Sequence, residues 1–97
     1  MDLTISPQTT VVAVSDQVSC RLDDETVVLE LKKGTYHGLN SVGSLIWDLI
    51  QQPHSIEALY SAVQAQYGVD SETCERDVLR LIEELQLAGL VELKSAT

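Results

Sequence analysis

The chain has 97 residues, 44% of them hydrophobic, which suits one domain with a modest core and leaves no second one to find. A net charge of −9, from 15 acidic residues against 6 Lys and Arg, argues against the basic face of a DNA or RNA binder. No apolar run approaches the ~20 residues of a membrane helix, and Asp2 stands where a secretory signal would be basic, so a cytoplasmic chain with neither membrane nor nucleic acid as partner is expected.

Residues 1–17 read as an N-terminal extension, with Pro7 among Ser and Thr, and Val11, Val12 and Val14 as a short strand within it. The domain proper is expected over residues 18–94. Val18, Cys20 and Leu22 alternate with Ser19 and Arg21, which is strand periodicity. An acidic turn at Asp23, Asp24 and Glu25 leads to TVVLEL, where Val27, Leu29 and Leu31 share one face and Val28 and Glu30 the other. Lys33-Gly34 supplies a second turn, and TYHGL, Thr35 to Leu39, is a third strand.

The remainder has helical spacing. Asn40 or Ser41 caps a helix with Val42, Leu45, Ile46, Leu49 and Ile50 on its apolar face, ended by Pro53, and Trp47 falls at the rim of the core. Ser55 caps a second helix striped by Ile56, Leu59, Val63 and Tyr67, closed by Gly68. Asp70 or Ser71 caps a third, from about Glu72 to Ala88, before Gly89 and a short final strand at Leu90, Val91 and Leu93. The expected fold is α+β: a three-stranded antiparallel sheet followed by three helices, in the winged helix-turn-helix plan.

The residues assemble no catalytic centre. Cys20 and Cys74 are far apart, and neither they nor His37 and His54 show metal-ligand spacing, so the cysteines read as structural thiols. His37 has no Ser, Cys or Asp partner within its motif, and Glu75, Asp77, Glu83 and Glu84 read as a solvated helix face. Asp70-Ser71 resembles the modified serine of a carrier protein, but Glu72 follows it and capping explains Ser71. No cofactor is expected.

Two features point to binding. The TYHGL strand feeds straight into a helix and has few residues to cover it, so it is expected at a sheet edge, where unpaired backbone groups accept an added strand. The third helix is apolar over a wide arc: Val78, Leu79, Leu81, Ile82 and Leu85 either bury it centrally or leave part of it lining a groove beside that edge. Arg76 and Arg80, one turn apart, suit an acidic group on a partner or local pairing with Glu72, Glu83 or Glu84. The candidate peptide-binding residues are Leu29 and Leu31, then Thr35, Tyr36, His37, Gly38 and Leu39, then Arg76, Val78, Leu79, Arg80 and Ile82.

From about Val18 to Leu93 the chain resembles the PqqD-like family of recognition elements for ribosomally made, modified peptides. The segments GTYHGLNSVGSLIWDLI and CERDVLRLIEELQLAGLVEL carry the likeness: Gly34, Tyr36, Leu39 and Asn40, then Ile46-Trp47, then Asp77-Val78, Leu81 to Leu85 and Gly89-Leu90. The resemblance implies a domain without catalysis that binds a precursor's leader as an antiparallel strand on the third strand, against the third helix. Members serving a quinone-cofactor pathway carry Pro in the turn where this chain has Lys32-Lys33-Gly34. The Tyr-bearing third strand looks more like the lasso-peptide recognition proteins, whose partners are a cysteine leader protease and an ATP-dependent cyclase. The alternatives are a PqqD-like chaperone of another modified-peptide pathway and a winged-helix DNA-binding regulator.

Overall fold

Residues 5–95 are described by the computed structural model, and they form six strands and three helices. The expected meander is β2 (Gln17–Leu22), β3 (Glu25–Glu30) and β4 (Thr35–Leu39), antiparallel in the order β2-β3-β4. Asp23, at φ 59, makes the left-handed turn between β2 and β3, a conformation Asp tolerates. Gly34, at φ +70, makes the turn into β4 and donates its N–H to the Glu30 carbonyl at 2.9 Å. The Glu30 carboxylate accepts the N–H groups of Lys32 at 3.0 Å and Lys33 at 2.8 Å, so both ends of Glu30 hold this turn.

Strand alternation is as the sequence predicts, and packing decides which face is inside. The face of Thr26, Val28 and Glu30 is buried, while Val27 and Leu29 turn outward and remain half-exposed. Polar residues are accepted inside because they are bonded: Thr26 Oγ1 donates to Ser44 Oγ at 2.7 Å, and Glu30 is held by its turn.

A second sheet lies outside the expected plan. In it β1 (Thr10–Ala13) is central, antiparallel to both β5 (His54–Ser55) and β6 (Val91–Lys94). The segment read as an extension therefore enters the packed unit: Val11 is fully buried, Ala13 N–H donates to the Ile50 carbonyl at 2.7 Å, and Ile56 N–H donates to the Thr9 carbonyl at 2.9 Å.

The helices are α1 (Ser41–Leu49), α2 (Ile56–Tyr67) and α3 (Ser71–Leu87). Asn40 caps α1 and Asp70 caps α3, each accepting the N–H three residues on, so the neighbouring serines do not serve as caps. Ser55 caps α2, and Gly68, at φ 64, closes it. Trp47 is not at the rim: it is 1% exposed, because α1 packs against β3 and β4 on one side and α2 on another. On α3 the buried residues are Cys74, Val78, Ile82 and Leu85, a single helical face turned to the core.

Ile82 is fully buried in that core. Ile82→Ala should lower folding stability by about 2–5 kcal/mol, read from a urea titration. A loss under ~1 kcal/mol would remove Ile82 from the packed centre.

Candidate functional site

Within the described residues β4 pairs with β3 alone, so its far edge presents unpaired N–H and C=O groups. The register aligns Leu29 with Tyr36 and Val27 with Gly38, which puts Tyr36 and Gly38 on the outer face of the meander. Thr35, His37 and Leu39 take the inner face, with Leu39 buried and His37 half-buried. The Thr35 hydroxyl lies 3.3 Å from His37 Nε2.

β4 ends at Leu39, Asn40 caps, and α1 begins at Ser41 with no loop between. Gly43 permits the tight join, since a Cβ there would stand 3.2 Å from Leu39 Cβ. Beside this junction is a cleft of about 320 Å³ between α1 and α3. Asn40, Val42, Gly43 and Ile46 form one wall, and Asp77, Arg80, Leu81 and Glu84 form the other. The α3 positions follow i, i+3, i+4 and i+7, one helix face adjoining the buried one. Val42, Ile46 and Leu81 give this cleft an apolar floor, and charged groups form its rim.

The structure redistributes the predicted residues. Val78 and Ile82 are fully buried and cannot touch a guest, because the core takes the middle of the apolar arc. Leu79 is half-buried and packs against the core. Arg80 lines the cleft, whereas exposed Arg76 pairs with Asp77 at 3.8 Å. Leu29 lies half-exposed on the outer face, and Leu31 is exposed just past the end of β3. Leu81 belongs to the apolar arc that the sequence offered as a groove lining, but sequence reasoning missed Asp77 and Glu84 beside it because apolar periodicity does not register charged positions.

The outer face of the meander is apolar and open. Val18 at 56%, Leu22 at 56% and Tyr36 at 72% exposure surround half-buried Val27 and Leu29.

Burial, then Glu75, pushes the Cys74 thiol up, away from a nucleophilic thiolate, and its Sγ donates to the Tyr60 carbonyl at 3.5 Å. Among the described residues no group of three His, Cys, Asp or Glu is placed to hold a metal ion. No helix there is long and apolar enough to cross a membrane.

The sequence profile of the family described as coenzyme PQQ synthesis protein D (PqqD) matches residues 25–91. Among similar solved structures is TbiB1 in complex with the TbiA(beta) leader peptide, with a TM-score of 0.77 and 40% identity over 84% of this chain and 94% of that one. Another is a lasso peptide synthetase B1 complexed with the leader peptide, with a TM-score of 0.73 and 23% identity over 84% of this chain and 96% of that one. At that lower identity the likeness speaks for the fold alone. No curated protein matches the chain.

The turn that delivers the chain into β4 should depend on pH. The Lys33 N–H bond, then that of Lys32, outweighs burial and holds the Glu30 carboxyl below its ordinary value. A depressed folded pKa contributes stability above the unfolded pKa and loses it as pH falls through the folded one. The protection factors of the Lys32 and Lys33 amides, measured against the intrinsic exchange rate at each pH, should therefore be high at neutral pH and fall below the usual carboxylate range. Glu30→Gln should raise exchange already at neutral pH.

Proposed function

The chain belongs to the PqqD family, and from that premise we propose that it recognises the leader of a ribosomally made precursor peptide in lasso-peptide biosynthesis, without catalysing a reaction itself. The observation that carries this reading is the free edge of β4 beside an apolar-floored cleft. It is joined by the 40% identity to TbiB1, whose structure holds a leader peptide.

Binding proceeds by strand addition. The leader pairs antiparallel with β4, and backbone hydrogen bonds set its register. Its inward side chains enter the cleft, where half-buried Val42 and Leu81 supply apolar contact above buried Ile46, and Arg80 and Glu84 meet polar groups at the rim. A guest on the edge and in the cleft leaves the part of the outer face away from β4 free, and Val18 and Leu29 there offer apolar area to the enzyme that receives the precursor. That receiver is a cysteine leader protease, followed by an ATP-dependent cyclase. The setting is the cytoplasm, and no cofactor takes part.

A fluorescently labelled leader, taken from a precursor encoded beside this gene, should gain anisotropy on mixing with the protein. No binding to any such leader would sink the reading. Leu81→Asp should weaken binding by at least ~2 kcal/mol, roughly 30-fold, with the circular dichroism spectrum unchanged.

Proline scanning tests the edge itself. Adjacent residues of an antiparallel strand send their N–H groups to opposite sides, so only one of Tyr36 and His37 donates away from β3. Of Tyr36→Pro and His37→Pro, that one should fold and lose leader affinity, and the other should destabilise the meander. A folded variant of the first kind that binds normally would move the docking strand elsewhere.

A further inference from the structure

We propose that Gly38 opens a second subsite on the outer face of the meander, filled by one bulky apolar side chain of the leader, aromatic or branched. This rests on strand addition to β4 and adds to it a determinant of which leaders are accepted.

Glycine weakens a strand interior and usually marks a bulge, a bend or the close approach of another chain. Gly38 shows none of the internal reasons. The β3–β4 register runs without a break from Thr35 to Leu39, so no bulge sits there. Its backbone is outside the left-handed region that Gly34, Gly68 and Gly89 occupy. A Cβ built on it meets nothing within 4 Å, so no packed neighbour demands the small residue.

What surrounds Gly38 is empty space with an apolar floor. A concavity of about 310 Å³ opens there, bounded by Leu22, Val27 and Glu25 and reaching Asn40. Val27 lies across from Gly38 and carries the floor, and Leu22, 56% exposed, flanks it. Tyr36 stands two residues back on the same face.

Strand geometry names the occupant. A strand added at 4.7–4.9 Å from β4 sends alternate side chains to opposite faces. Those pointing inward meet the α1–α3 cleft, and those pointing outward pass beside Gly38. A large side chain opposite a strand glycine folds over it and covers the exposed backbone. Here it also reaches the Val27 floor. Asn40 lines both concavities, so the two subsites share a wall at the end of β4. The leader is thus read on both faces at once.

The test fills the notch from the protein side. Val suits a strand and Gly38 has ordinary backbone, so Gly38→Val should fold with stability equal to or above that of the parent. It should nonetheless weaken binding of the labelled leader at least tenfold, with Gly38→Ala intermediate. Trimming the outward-facing leader residue to Ala should weaken binding to the parent protein and have little further effect on Gly38→Val, a coupling that a purely structural role would not produce. Should Gly38→Val not fold, Leu22→Ser at its exposed position provides the same readout, with a severalfold loss coupled to that leader residue. Parent-like affinity in Gly38→Val, or no coupling at any leader position, overturns the subsite. Absence of leader binding by the parent protein would instead overturn strand addition.

Discussion

The hydrogen bond from Gly43 N–H to Asn40 Oδ1, 2.9 Å long, joins the two halves of the site. It ends β4 and starts α1 within one residue. With no loop between them, the strand edge directly adjoins the cleft wall, and the absence of a Cβ at Gly43 leaves room for the Leu39 side chain at the join. In the proposed complex, a guest strand finds its hydrogen-bonding edge and its side-chain cleft already in register. Little ordering is left to be done on binding, which is the main advantage of a preorganised site.

The opposite end of β4 is held by a different device. Glu30 spends its carboxylate on the backbone of the turn and its carbonyl on Gly34. Together with the Thr26–Ser44 bond, this lets the meander bury its polar face and turn its apolar face outward. A sheet whose buried polar residues, Thr26 and Glu30, are bonded loses little stability by that inversion. It gains an open apolar surface around Val18, Leu22 and Tyr36. The β2 edge, by contrast, carries Arg21, which is ion-paired to Asp48 of α1. Charge on an edge strand discourages pairing there.

Much of the fold was legible in the sequence because the signals are local. The alternation of β2 and β3, the turn at Gly34, the Ser55 cap and the Gly68 closure each depend on residues within a few positions of one another. β4 was legible for the same reason, as a short strand running directly into a capped helix. The second sheet was not. Its pairs, such as Val11 with Leu93 and Thr10 with Ser55, join distant parts of the chain, and the two residues of β5 are too short to show a period.

The walls of the site divide along the same line. By itself the sequence determined that β4 is a strand and that α3 has an apolar arc. Only the tertiary structure decided that Val78 and Ile82 belong to the core while Leu81 and Arg80 face the cleft. It also decided that Thr26 and Val28 point in while Val27 points out. Periodicity reveals that an element has faces. Which face is buried depends on what packs against it, and that is a property of the assembled chain.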